Sequence, residues 1–266
     1  RRRLYCKMKS WHSLEGKTIW VTGGAGYLGS AITRELDAHC AKVICFDLPG
    51  RAEALVREQK LTRTVPLALD FYDTAGLPAA IDTLVATHGL PDGVVHLVMA
   101  SSSGKRLEVL TADEFQRTFD LALTPTFVLC RALAEKMKIR GSGSIILYSS
   151  MYGIVSPDPR IYHDPMAPNP IDYGASKAAV LQMSRYLAVH YGPAGIRFNC
   201  ISPGPFPNPG VQKGHPGLIQ DLNRKTALNR IGHNQEIVGP TLFLLTDSAS
   251  YVTGHNLVVD GGWTSW

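Results

Sequence analysis

The sequence has no apolar run approaching the ~18 residues of a membrane span, and no charged, apolar and cleavage-site regions in succession. Both absences point to a soluble, cytoplasmic protein with no membrane partner. Paired cysteines are also missing. Cys6, Cys40, Cys45, Cys130 and Cys200 are scattered, odd in number and without a CxxC spacing, which excludes a disulfide framework or a thiolate metal site and fits reduced thiols. Neither HxH nor HExxH occurs, so the histidines carry no metal signature and none is expected. Charge of one sign is scarce: the formal net charge is +5, and three arginines open the chain in "RRRLYCKMK". The rest is nearly neutral, which argues against nucleic acid. Residues 1–12 read as a flexible N-terminal segment and 13–266 as a single domain, because no Pro/Gly/Ser-rich linker and no repeat divides them.

What the sequence does contain is alternation. Short β-branched runs (Thr18 to Thr22, Lys42 to Phe46, Val65 to Leu69, Gly93 to Val98, Ser144 to Tyr148, Arg197 to Ile201, Asn256 to Val259) are predicted strands. Between them lie predicted helices: Ser30 to His39, Ala52 to Gln59, Gly76 to His88, Ala112 to Lys138, Tyr173 to Tyr191 and Asn234 to Thr246. Most strands are apolar throughout rather than alternating, which predicts an α/β fold with a doubly wound, seven-stranded parallel sheet buried on both faces. Two proline-crowded segments, 156–170 and 202–217, follow strand ends and are expected to be long loops bordering the ligand crevice.

The stretch "VTGGAGYLGSAI" follows the first strand and opens a helix, with Gly23, Gly26 and Gly29 at three-residue intervals. That context suits a dinucleotide pyrophosphate, whose charge gains from backbone N–H groups and a helix N-terminus. Asp47 closes the second strand, 18 residues beyond Gly29, where a carboxylate takes a ribose 2′-hydroxyl and repels a 2′-phosphate; NAD is favoured over NADP. Asp70, at the end of the third strand, suits either an adenine amino group or a helix cap. Tyr173 and Lys177 stand four apart in "YGASK", hence on one helical face, and a nearby ammonium lowers a phenol's pKa from ~10 toward the working range. Ser149 and Ser150 end the strand of "GSIILYSSMYG", where a hydroxyl can hydrogen-bond a substrate oxygen.

With these motifs in this order, the chain from about Leu14 to Gly262 resembles the short-chain dehydrogenase/reductase family. "TGGAGYLG", Asp47, Asp70, "YSSMYG", "YGASK", "IRFNCISPG" and "YVTGHNLVVDGG" carry the likeness. The resemblance implies a Rossmann-like three-layer α/β/α domain using NAD(P), a secondary alcohol and ketone interconverted, and a homotetramer or homodimer. It implies Ser150 polarising the substrate oxygen, Tyr173 exchanging its proton, and Lys177 lowering the pKa of Tyr173 while holding the nicotinamide ribose. For the cofactor it implies Gly23, Gly26, Tyr27, Leu28 and Gly29 at the phosphates; Asp47 and Leu48, then Asp70, Phe71 and Ala100, on the adenosine side; and Pro203, Gly204 and Phe206 at the nicotinamide.

The sequence departs from the family pattern in several places. Tyr27 replaces an expected glycine, giving the TGxxGxxG spacing of extended members, and Ala122 occupies the usual asparagine of the proton relay. Ser150 and Tyr173 are 23 positions apart because of the proline-rich insertion. Similar insertions in bacterial sugar oxidoreductases suggest a lid, with Tyr152, Tyr162 and His163 as substrate contacts and a sugar, sugar acid or related polar alcohol as substrate. The alternatives are a nucleotide-sugar epimerase or dehydratase, suggested by the front half, and a non-catalytic NAD(P)-binding scaffold. Trp263 and Trp266 are expected at a subunit contact.

Overall fold

The computed structural model describes residues 11–39 and 41–266. The basic start, most of the segment expected to be flexible, Cys6 and Cys40 lie outside the described residues.

Seven parallel strands form one sheet in the order β3-β2-β1-β4-β5-β6-β7. They are β1 (Thr18–Thr22), β2 (Lys42–Asp47), β3 (Thr64–Ala68), β4 (Gly93–His96), β5 (Gly143–Tyr148), β6 (Ile196–Pro203) and β7 (Asn256–Val259). Helices α1 (Tyr27–Ala38), α2 (Arg51–Gln59), α3 (Leu77–His88), α4 (Ala112–Arg140), α5 (Ile171–Tyr191) and α8 (Val238–Leu245) cover it, and α6 (Pro209–Gly214) and α7 (Pro216–Lys225) stand between β6 and α8. Among the described residues no helix is long and apolar enough to cross a membrane.

Neighbouring residues of a strand enter different cores. Trp20, Ile44, Val94 and Ile145 join the cluster beneath α3, α4 and α5, whereas Ile19, Val21, Val43, Val95 and Ile146 join the one beneath α1 and α8. A sheet buried on both faces needs apolar residues at every position, which accounts for the unbroken apolar runs. Long α4 starts at a reciprocal cap, Thr111 with Glu114, and ends at Gly141 in the left-handed region.

Strand order reverses between β1 and β4, whose carboxyl ends lie level: Thr22 pairs in register with both Phe46 and His96. Such a reversal opens a crevice at the strands' carboxyl ends.

The second proline-rich segment is not a long loop. Pro209 and Pro216 each begin a helix, α6 under the Asn208 side-chain cap, because a first-turn N–H has no intrahelical acceptor and proline loses nothing by lacking it. The substrate loops expected at 151–172 and 203–225 shrink accordingly, since α5 starts at Ile171 and α6 and α7 fill most of the second. In the first, Met151–Gly153 and Pro159–Ile161 each form a 3₁₀ turn.

Candidate active site

A cleft of about 350 Å³ lies at the strand-order reversal, walled by the β1–α1 turn, the segment after β4, the end of β5, α5 and the segment after β6. Gly23, Gly26, Tyr27, Leu28, Gly29, Ser150, Tyr173, Lys177, Pro203, Gly204 and Phe206 line it together. Ser149, read with Ser150 as a strand-end hydroxyl, lines it too, as do Leu97, Met99, Tyr148 and Asn208, which sequence reasoning missed in this role. Their signal was position: Leu97 and Met99 follow β4, Tyr148 precedes Ser149, and Asn208 follows the "PG" pair.

The turn is built for close approach. Gly23 has φ +70°, and its N–H and that of Gly24 both donate to the Phe46 carbonyl, fastening the turn to β2. A Cβ on Gly29 would stand 2.2 Å from the Gly23 carbonyl oxygen, so only glycine lets α1 leave the turn at this angle. Gly26 caps α1 without a side-chain bond. The N–H groups of Tyr27, Leu28 and Gly29, in the first helical turn, therefore have no intrahelical acceptor and face the cleft with the positive end of the helix dipole. These features fit a pyrophosphate.

Asp47 is buried and fully engaged. Its carboxylate accepts from the N–H groups of Ala25 and Leu48, each at 2.9 Å, and pairs with Arg51 at 3.3 Å. It thus supports the glycine turn from beneath as well as ending β2. Leu48 is exposed beside it. Asp70 is exposed, and its carboxylate accepts from the Tyr72 N–H in a local turn; it does not cap α3, and Asp73 accepts from the Gly76 N–H just before that helix. Phe71 departs from the expectation, since its ring is buried edge-on to Phe46 and His96 and serves the core. Ala100 lies outside the cleft lining, where Met99 takes the wall.

Ser150, at the end of β5, accepts from the Tyr152 N–H at 3.1 Å. Burial pushes the Tyr173 phenol above its ordinary value, and a hydrogen bond with Ser150 offsets only part of this. Lys177 is buried, and its Nζ donates to the Tyr148 carbonyl at 2.9 Å while standing 5.8 Å from the Tyr173 ring centroid. Burial lowers its pKa to about 8. In the protein alone, desolvation dominates the Tyr173 phenol. Ala122, Thr126, His96, Ser176 and Lys177 surround a small void behind the site. His96 bridges Thr22 (2.7 Å) and Thr126 (2.8 Å), and burial holds its pKa near 3, so it is neutral.

The insertion folds against α7. The hydroxyls of Tyr152 and Tyr162 lie 2.8 Å apart, and Tyr162 and Tyr173 pack on a cluster of Met151, Tyr152, Ile161, Leu222 and Trp263. Asp158 pairs with Lys225 (2.5 Å), His163 with Asp221 (2.7 Å) and Asp164 with Arg106 (2.5 Å). His163 lines a second cavity, of about 450 Å³, between the insertion and the start of α7, and not the cleft holding Ser150. Trp263 corrects the expectation of a subunit contact, since it is buried in its own chain beneath Lys225, whereas Trp266 is exposed. Among the described residues no group of three or more His, Cys, Asp or Glu could hold a metal ion.

The family described as "Enoyl-(Acyl carrier protein) reductase" matches residues 24–264. Among curated proteins, the chain is 31% identical to a D-threitol dehydrogenase of Mycolicibacterium smegmatis over 259 residues, covering 94% of each. It is 25% identical to an NAD-dependent glycerol dehydrogenase of Listeria innocua, covering 95% of each. Among solved structures, a short chain dehydrogenase of Leptospira borgpetersenii with bound NAD⁺ superposes with a TM-score of 0.84 at 30% identity, over 97% of this chain and 96% of that one.

Proposed function

This chain belongs to the short-chain dehydrogenase/reductase family, and from that premise we propose that it is an NAD(P)-dependent oxidoreductase interconverting a secondary alcohol and a ketone on a small polyhydroxylated substrate such as a polyol, sugar or sugar acid. One observation carries the reading: Ser150, Tyr173 and Lys177 share a single cleft with the uncapped first turn of α1. The names of the threitol and glycerol dehydrogenases support the substrate class.

The glycine turn and the N–H groups of Tyr27, Leu28 and Gly29 would hold the pyrophosphate, and Pro203, Gly204 and Phe206 would border the nicotinamide. Bound NAD supplies the hydride acceptor for alcohol oxidation. Ser150 Oγ donates to the substrate oxygen and holds it in both redox states, and Tyr173 Oη takes the hydroxyl proton in oxidation or returns it in reduction. Because burial opposes the phenolate, the Lys177 ammonium is the protein's own charge for stabilising it, with only one of its three N–H donors engaged by the Tyr148 carbonyl. Asp47 favours NAD through charge, although Arg51 stands beside it. The exposed apolar residues Phe127 and Ile139 on α4 and Tyr186 and Val189 on α5 suit a homotetramer or homodimer, and the buried free thiols of Cys45, Cys130 and Cys200 suit the cytoplasm.

The test is NADH formation from NAD⁺ across a library of polyols, sugars and sugar acids, with Tyr173→Phe as control. Turnover that disappears in Tyr173→Phe while NADH binding persists is the expected result. Retained turnover in that variant would overturn the assignment, and NADH binding without turnover of any alcohol would favour a scaffold.

A further inference from the structure

Asp172 is completely buried one residue before Tyr173, and the chemistry above does not use it. An acidic residue in the first turn of a helix ordinarily faces water or its own helix's N–H groups. Here it bonds to two other elements. Its Oδ2 accepts from the Ser102 N–H at 2.8 Å and from the Thr118 hydroxyl at 2.5 Å, and its Oδ1 accepts from the Ser102 hydroxyl at 2.7 Å. No cation pairs with it among the described residues, so these donors, with its own backbone N–H, compensate a buried charge. Burial pushes the carboxyl up, and the hydrogen bonds from Thr118 and Ser102 outweigh it, leaving it below its ordinary range.

The partners lie where they matter. Ser102 belongs to the segment after β4 whose Leu97 and Met99 wall the cleft, Thr118 lies on α4, and Asp172 leads directly into Tyr173. The segment carrying Met99 is otherwise irregular, with Met99 half-exposed. We propose that Asp172 is a positioning residue that clamps the Leu97–Ser102 wall to the first turn of α5, fixing the Tyr173 phenol relative to the cofactor's seat. This rests on the dehydrogenase reading of the cleft.

The residue type follows from the donors. All three groups present hydrogens, and a carboxylate accepts from all of them. An asparagine of the same shape would turn an NH₂ toward one of them. With its oxygen toward the Ser102 N–H and Thr118, that NH₂ meets the Ser102 hydroxyl, which can rotate to accept it; what asparagine loses is the charge that strengthens all three bonds.

The test uses the full chain with Asp172→Asn, Ser102→Ala and the double variant. Four quantities are read well below the melting temperature: hydrogen–deuterium exchange of residues 97–106, NADH affinity by fluorescence, kcat and KM. Asp172→Asn is expected to speed exchange in that segment, weaken NADH about tenfold and lower kcat by about tenfold to a hundredfold, the scale of a small displacement of a reacting group. Ser102→Ala should change each in the same direction by less, and the double variant should be no worse than Asp172→Asn alone, because both act through one link.

A merely structural role predicts a lower melting temperature with NADH affinity and kcat unchanged, and that result overturns the proposal. If Asp172→Asn does not fold, Ser102→Ala decides: wild-type exchange and NADH affinity in that variant overturn it. If the wild type binds NADH yet oxidises no alcohol, the dehydrogenase reading fails while the exchange and NADH measurements still judge Asp172.

Discussion

Lys177 directs its ammonium to the main-chain carbonyl of Tyr148, at 2.9 Å, rather than to the phenol of Tyr173 with which it shares a helical face. The lysine is thus held by the end of β5, and its charge depends on pH near neutrality because burial lowers its pKa to about 8. Below that value the ammonium is present to attract an anionic cofactor, and above it the charge is lost. NADH affinity measured by fluorescence should therefore fall as pH rises through about 8. Lys177→Met should bind more weakly and show no such step.

His96 predicts acid sensitivity of the fold. Burial depresses its pKa to about 3 from 6.5, so between these values the unfolded chain takes up a proton that the native chain refuses. Its contribution to stability is complete above pH 6.5 and is lost as pH falls toward 3, by at most about 1.4 kcal/mol per pH unit. Urea midpoints for wild type and His96→Gln across this window should differ in slope by that one proton. Parallel curves would remove His96 from the account.

The glycine turn should reject any side chain at its tightest point. Gly29→Ala places a methyl 2.2 Å from the Gly23 carbonyl, so NADH affinity should fall more than about tenfold as the turn and α1 move apart. Gly239→Ala, in α8 with nothing within 4 Å of the new methyl, is the control. It should leave NADH binding unchanged.

The ties between the insertion and α7 should affect the substrate and not the cofactor. Lys225→Met cuts the tie from α7 to Asp158, which keeps its pairing with Arg160, and Asp221→Asn weakens the contact with His163. Each should raise KM for the alcohol about twofold to fivefold, the size of a partly exposed ion pair, with NADH affinity unchanged. An equal loss in both would mean that the insertion supports the whole cleft.

Asp47 should set cofactor preference at a structural cost. Asp47→Ser should improve NADP relative to NAD by removing the charge that opposes a 2′-phosphate. It should also lower the melting temperature, because the Ala25 N–H loses its acceptor.

Some of this molecule was determined by local sequence. Unbroken apolar runs of strand length can only be buried on both faces, which is why the seven strands and the glycine turn could be read directly, and a spacing of four necessarily puts Tyr173 and Lys177 on one face of α5. Other features depended on contacts distant in sequence. Asp172, Ser102 and Thr118 are ordinary polar residues until strand order brings the β4 segment, α4 and α5 together. Phe71 was expected on the adenosine side of a cofactor, and packing against Phe46 and His96 decided for the core. The proline-rich segment after β6 read as loop because proline disfavours helix interiors, yet at Pro209 and Pro216 it starts helices. Periodicity and residue type act within a few residues and fix the elements themselves. Whether a carboxylate meets water or three donors, and whether a lysine meets a phenol or a carbonyl, is set by burial and by neighbours from elsewhere in the chain, which only the tertiary structure supplies.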